Sequence, residues 1–323
     1  KVIVSEIDTR GDPGEVVKQV YEIAANPSVL AVVGPLTSRE SLAAAQTADS
    51  TGVPLIAISQ RLGLTQERPS VFRIFLTPKH QAQAVARYAV RKLGLARFGV
   101  LYPNDLYGQA MLSFFQNEVQ LLGGQVSVAD NYDPSAKNWG EAVTRLTGGH
   151  SIRRASSSYQ APVDFEALYM PDGSAAINQI LPLIAFNDIT KMVYLGTPLW
   201  VTDDLARSSG RYLTQSVIPL AFSELSERPE SVAFLNAYAA AYGKTPDQFA
   251  AYGYDAGMAL MTVFSRGAGT RAEVIKALSA LGPFPGATGP FSFDGQGDYQ
   301  LEPTLLTVDG TSFKILEEAA SSR

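Results

Sequence analysis

Short, unbroken apolar runs recur along this chain, each closed by turn residues and followed by a stretch with helical spacing. Val29–Val33 leads through Gly34-Pro35-Leu36-Thr37-Ser38 into a helix predicted from Arg39 to about Asp49, and Val53–Ile58 is the next run. Phe98–Tyr102 leads through Pro103-Asn104-Asp105-Leu106-Tyr107-Gly108 into a helix predicted from about Gln109 to Leu122. Phe165–Tyr169 precedes Met170-Pro171-Asp172-Gly173 and a helix to about Phe186, and Met192–Leu195 follows. Val2-Ile3-Val4 reads as an opening strand. Runs that do not alternate are what parallel strands buried on both faces look like, and the helices between them supply right-handed crossovers. The predicted class is α/β.

Two such sets occupy roughly residues 1–75 and 95–220, after which the pattern changes. Residues 229–242 and 253–265 read as helices, and Thr270-Arg271-Ala272-Glu273 is a capping box that opens a third. Past Gly282 the chain turns to short β segments: Gly289–Asp294, Thr304–Val308 and Ser312–Leu316, the last two forming a hairpin around Asp309-Gly310. His150–Pro162 is polar and serine-rich and reads as a surface insertion. Its Arg153-Arg154-Ala155-Ser156 resembles a phosphorylation site, a solvated loop being the simpler reading.

Composition narrows the function classes. A length of 323 residues suggests two domains. With 46% apolar and 18% charged residues, a disordered or coiled-coil chain is excluded. The net charge of −5 carries no basic footprint for nucleic acid. No apolar run reaches the ~20 residues of a membrane span. No leader-like segment precedes Val2, so an export signal is either already removed or was never present. The absence of cysteine excludes disulfides, cysteine nucleophiles and thiolate metal sites. Two histidines, His80 and His150, cannot build a multi-histidine zinc site. No metal or cofactor is therefore expected.

Catalytic motifs fail in turn. Gly243-Lys244-Thr245 ends like a phosphate-binding loop, but Tyr238 stands where that motif needs glycine. Gly295-Gln296-Gly297 lacks the third glycine of a dinucleotide fingerprint. There is no G-x-S-x-G elbow and no H-E-x-x-H. His80, after Pro78-Lys79, is expected to be solvated, and neither histidine has a carboxylate and a nucleophile beside it in sequence. No catalytic residue is assigned, and the expectation is a protein that is not an enzyme.

What remains is the set of loops after the strands, where open parallel sheets bind ligands. Ser38 is predicted to cap a helix whose free N–H groups could hold a carboxylate. Ser59-Gln60-Arg61 follows the second run, and Arg61 would either clamp a carboxylate or be solvated. Tyr107, Asp172, and Thr197 with Trp200 follow later runs. Polar and aromatic residues after successive strands suit a small polar ligand.

The order and spacing of several motifs resemble the type I periplasmic binding proteins, in particular the leucine/isoleucine/valine-binding branch of ABC-transporter receptors, over nearly the whole chain. They are Asp8-Thr9-Arg10-Gly11-Asp12-Pro13, Val33–Ser38, Gly52–Ile56, Tyr107-Gly108, Tyr252-Gly253-Tyr254-Asp255-Ala256 and Gly289–Asp294. The resemblance implies two Rossmann-like lobes with parallel sheets, joined by three crossovers and closing on a ligand. One lobe would be 1–76 plus 223–298, the other 77–222 plus 299–323. Family ligand contacts fall on Ser38, on Ser59, Gln60 and Arg61, on Tyr107, and near Asp172, Trp200 and Tyr254. In the amino-acid binders Ser38 and the Ser59 loop receive the carboxylate, and acids of the second lobe receive the ammonium.

Three departures shape the expectation. The family's opening strand and helix have no counterpart before Lys1, which suggests a further N-terminal segment in the native protein, with a lipid anchor on it compatible. The usual acid after the fifth strand is replaced by Thr197-Pro198-Leu199-Trp200, so either Asp172 or Asp203 substitutes or the ligand has no ammonium. Arg61 stands where binders often have a small residue, and either adds an anion clamp or fills the pocket. The function implied is an extracytoplasmic receptor that binds an amino acid or related carboxylate and delivers it to ABC permease subunits. Aromatics among the contacts favour an apolar or aromatic tail over a sugar. The alternative comes from Phe165–Trp200, which is similar to penicillin-binding-protein activators: a partner of a cell-wall synthase with no transported ligand.

Overall fold

The computed structural model describes residues 2–136, 138–148, 163–187, 189 and 192–317. The insertion 150–162, with its Arg153–Ser156 motif and His150, lies outside the described residues. The chain opens with α1 (Pro13–Ala25), β1 (Val32–Val33), α2 (Ser38–Thr51), β2 (Leu55–Ala57) and β3 (Val71–Arg73). It continues through α3 (Pro78–Arg91), β4 (Arg97–Pro103), α4 (Leu106–Leu121), β5 (Gln125–Tyr132), α5 (Gly140–Leu146), β6 (Ala167–Tyr169), α6 (Ser174–Phe186), β7 (Val193–Leu195), α7 (Asp203–Ser209) and β8 (Ser216–Leu220). Three helices follow: α8 (Pro229–Tyr242), α9 (Gln248–Ser265) and α10 (Arg271–Ser279). Strands β9 (Phe284–Gly286), β10 (Gly289–Phe293), β11 (Tyr299–Leu301), β12 (Thr304–Asp309) and β13 (Ser312–Glu317) complete it. The class is α/β, as the run pattern predicts. The described residues fall into two compact units: unit 1 from 2–77 and 221–302, unit 2 from 78–220 and 303–317.

In unit 1, β1, β2 and β3 form a parallel sheet in that order. Successive side chains of a strand point to opposite faces, and here both faces are covered. Leu55 and Ala57 pack with Val16 and Val20 of α1 and Ala44, Ala45 and Ala48 of α2, while Ile56 and Ile58 pack with Ala256, Ala259 and Val263 of α9. Burying each such large aliphatic side chain contributes ~1.5–3 kcal/mol, which is why a three-residue strand suffices. Strands β9, β10 and β11 form a separate antiparallel sheet. Arg271, at the start of α10, donates to the carbonyls of Ile23, Ala24, Asn26 and Val29, and so satisfies the end of α1. The Thr270–Glu273 capping box forms as read from the sequence.

Unit 2 is built on one seven-stranded sheet, order β13-β12-β8-β7-β6-β4-β5. Strands β8, β7, β6, β4 and β5 are parallel. Strand β12 returns antiparallel to β8, and β13 closes the predicted hairpin with Asp309 opposite Ser312. Leu168 of β6 packs with α5 and α6 residues on one face, and Ala167 and Tyr169 with α3 and α4 residues on the other.

Several sequence expectations are corrected. Val2–Val4 is not a strand: Ile3 is 80% and Val4 85% exposed, and no ladder partner meets them. Gly243 is the left-handed C-cap of α8, at φ 66°, which explains a glycine before Lys244 without any phosphate site. Gly295–Gly297 is the turn between β10 and β11. His80, expected in solvent, is half-buried on α3 and engaged in an interaction.

The motif around Asp255 is structural. This fully buried carboxyl on α9 accepts from Ala287 N at 2.6 Å and from Thr288 N at 3.1 Å and Oγ1 at 2.5 Å, in the β9–β10 turn. Thr288 Oγ1 also meets Tyr299 Oη at 2.5 Å, and Arg228 donates to the Thr288 carbonyl at 2.9 Å. Burial pushes the Asp255 carboxyl up to about 6, against the opposing pull of these hydrogen bonds and of Arg228. Because the folded value lies above the ordinary 3.8, the folded chain holds a proton that the unfolded chain has lost between these two pH values. The stability this contributes, on the order of 3 kcal/mol, is complete at low pH and lost as pH rises through about 6. Urea titrations at pH 4 and pH 7 should therefore show Asp255→Asn gaining stability relative to the parent as pH rises; a constant difference would refute the assignment.

Candidate functional site

In unit 1 the loops after β1 and β2 lie side by side, joined by Ile58 N donating to the Pro35 carbonyl at 3.3 Å. The cap of α2 is Thr37, not Ser38. Thr37 has extended backbone (φ −77°, ψ 148°), its hydroxyl accepts from Glu40 N at 3.3 Å, and it donates to Glu40 Oε2 at 2.6 Å. The other Glu40 oxygen accepts from Thr9 Oγ1 at 2.5 Å. Ser38 is the first helical residue and half-buried, and its N–H and that of Arg39 have no partner within the helix. Ser38 thus moves from the cap to the first turn of the helix, one residue after Thr37.

After β2, Ser59 is completely buried and its Oγ accepts from Arg61 N at 3.4 Å, which closes a tight turn. Gln60 is exposed and Arg61 half-buried. The Arg61 carbonyl accepts from Nη1 of Arg73, at the end of β3. No carboxylate pairs with the Arg61 guanidinium among the described residues, and the Ser59 hydroxyl proton is likewise unspent among them.

In unit 2 the loops after β4, β6 and β7 are neighbours, because those strands are adjacent in the sheet. Asp105 caps α4 by accepting from Gly108 N at 2.8 Å. Gly108 is required there: a Cβ would stand 2.0 Å from the Pro103 carbonyl oxygen. Tyr107, half-buried, has its hydroxyl pushed up to about 12 by burial and by the negative charge of Asp172, with a Thr197 hydrogen bond pulling the other way. Asp172 accepts from the Tyr132 hydroxyl on one oxygen and from Gly173 N at 2.6 Å on the other. Its carbonyl accepts from Trp200 Nε1 at 3.0 Å and Thr197 Oγ1 at 3.3 Å. Burial, then this bond to Asp172, holds the Tyr132 hydroxyl protonated far above the usual phenol range.

The sequence profile described as periplasmic binding protein matches residues 1–308. The chain belongs to the periplasmic binding protein family. Solved structures share the fold. A candidate branched-chain amino acid ABC transporter protein from Rhodospirillum rubrum is 21% identical, with a TM-score of 0.85 over 96% of this chain and 86% of that one. The leucine binding protein LivK from Thermotoga maritima is 24% identical, with a TM-score of 0.69 over 97% and 86%. An ABC-transporter solute binding protein from R. palustris, solved with benzoate, is 19% identical, with a TM-score of 0.64 over 96% and 83%. No curated protein sequence matches significantly. The family and fold class read from the motifs are borne out. None of these three structures is a cell-wall synthase activator, and that alternative gains no support from them.

Within this periplasmic binding protein the predicted residues sort by position. Ser38, Ser59, Gln60 and Arg61 share the loop edge of the β1–β3 sheet, and Tyr107 and Asp172 share that of the large sheet. Trp200 does not line a surface: it is 0% exposed in the core of unit 2, its ring fills the space where a Gly196 Cβ would stand, and its N–H is spent on Asp172. It supports the Asp172 loop instead. Tyr254 lies on α9, 39% exposed, with its ring 4.7 Å from that of Phe234. Asp203 is exposed and paired with Arg207 at 3.6 Å. Sequence reasoning missed Thr37, Tyr132 and Arg73. The spacing Thr37-x-x-Glu40 was the signal for the first, and a lone arginine inside Val71–Leu76 for the last.

The cap correction has a direct consequence. Thr37→Ala should destabilise the protein by about 1 kcal/mol and Ser38→Ala by less than about half of that in urea unfolding. Equal costs would return the cap to Ser38.

Proposed function

We propose that this periplasmic binding protein takes a small carboxylate with an apolar tail, a branched-chain amino acid first, and delivers it outside the cytoplasm to an ABC permease. It carries no catalytic step in this reading. The observation that carries the proposal is the Ser59–Arg61 turn, whose buried hydroxyl proton is unspent and whose guanidinium is unpaired among the described residues, beside the N–H groups that open α2 and have no partner within the helix. Hydroxyl, guanidinium and N–H groups are all donors, which suits an anion and not a cation. Family membership and the folds of the leucine-binding protein and the benzoate complex support a carboxylate in general.

No helix among the described residues is long and apolar enough to cross a membrane, and no group of three or more histidine or acidic side chains among them is arranged to hold a metal.

Isothermal calorimetry with L-leucine, L-isoleucine, L-valine, benzoate and glucose tests the reading. At least one carboxylate should bind tighter than about 10 μM, and Arg61→Met should weaken it about tenfold or more, as loss of a charge-assisted hydrogen bond requires. Glucose binding with no carboxylate bound, or silence across the panel from folded protein, would overturn it.

A further inference from the structure

We propose that buried Arg73, paired with half-buried Asp298, positions the Ser59–Arg61 turn, so that Arg73 is a positioning residue for carboxylate recognition. The inference rests on the reading of that turn as the carboxylate contact.

Arg73 ends β3 directly opposite Ala57, the last residue of β2, from which the chain departs into the turn. Its side chain is almost fully buried. Nε donates to Asp298 Oδ1 at 2.8 Å, Nη2 donates to Oδ2, and Nη1 donates to the Arg61 carbonyl. A guanidinium is a rigid planar fork, so fixing two nitrogens on one carboxylate fixes the direction of the third. The carboxylate is itself held. Asp298 Oδ1 accepts from Tyr299 N at 2.9 Å, and Asp298 N donates to Asp294 Oδ1 at 2.8 Å. Arg73 N donates to the Gly297 carbonyl at 2.9 Å. Gly297 sits at φ 81°, and a Cβ there would stand 2.5 Å from the Val71 carbonyl oxygen, so the β10–β11 turn presses on β3 where only glycine fits.

A charge taken out of water needs its partner and its full set of acceptors. Asp298 supplies the charge, and the Arg61 carbonyl supplies an acceptor that the strand ladder does not. The turn is thereby pinned at the residue whose own side chain is left free. The Arg61 backbone is spent on two internal bonds, its N–H to Ser59 and its carbonyl to Arg73, while its guanidinium is unpaired among the described residues.

Asp298→Asn keeps the shape and removes the charge; Arg73→Lys keeps the charge but cannot reach Asp298 and the Arg61 carbonyl together, and serves if the first variant fails to fold. Two readouts separate the pin from its consequence. In unliganded protein, hydrogen–deuterium exchange across 60–62 should accelerate about tenfold or more while β4 and β6 are unchanged. The ratio of the Kd for L-leucinamide to that for L-leucine should fall about tenfold, since the amide lacks the carboxylate. Global destabilisation alone would not move that ratio. Unchanged exchange in a folded variant overturns the pin, and accelerated exchange with an unchanged ratio overturns its role in recognition. A parent protein that does not prefer leucine contradicts the carboxylate reading instead, and the exchange rates then decide the pin alone.

Discussion

Parallel pairing is the constraint from which the candidate site follows. In a parallel sheet every strand points the same way, so all carboxyl ends, and the loops that leave them, gather at one edge. Strands β1 and β2 bring the Thr37–Ser38 helix start beside the Ser59–Arg61 turn. In the large sheet the order β7-β6-β4-β5 brings Thr197, Asp172, Tyr107 and Tyr132 to one edge, although they are spread over some ninety positions of sequence. The strands can be this short because both faces are packed.

A second constraint acts on the polar groups that this packing buries. Arg73, Asp255 and Asp172 each sit where water cannot satisfy them fully, and each has at least one partner from distant sequence. Asp255 spends its bonds on the turn of the small antiparallel sheet, and Asp172 accepts from Tyr132 at the end of β5 and from the N–H of Gly173. Buried polar groups of this kind are satisfied in one arrangement only, and so select it over its alternatives. At Arg73 that selection falls on the turn carrying Ser59 and Arg61, where a carboxylate contact needs donors already in place.

Much of the fold was legible because unalternated apolar runs and glycine or proline turns are local signals. The capping box at Thr270 and the Asp309-Gly310 hairpin formed where the sequence put them. Strand β3 was not read, because Val71–Arg73 is brief and carries an arginine; only its pairing with Asp298, 225 residues away, makes that arginine possible in a strand. The opening Val2–Val4 failed for the opposite reason: its β-propensity is real, but propensity without a ladder partner yields no strand. At the candidate site, local sequence places the loops but does not separate a cap from its neighbour or a contact from a core residue. Ser38 was placed one residue off because serine and threonine both cap helices, and only Glu40 distinguishes them. Trp200 is expected near the ligand and lies in the core, because an aromatic after a strand serves equally as contact or as core and no local pattern tells these apart.

The central claim is that the Ser59–Arg61 turn receives a ligand carboxylate. A crystal structure of the protein grown with L-leucine tests it most directly. The account expects the leucine carboxylate ~3 Å from Ser59 Oγ or the Arg61 guanidinium, with the Arg61 carbonyl still on Arg73. Leucine bound with its carboxylate away from that turn, or the Arg61 guanidinium paired with a carboxylate of the protein itself, would contradict it.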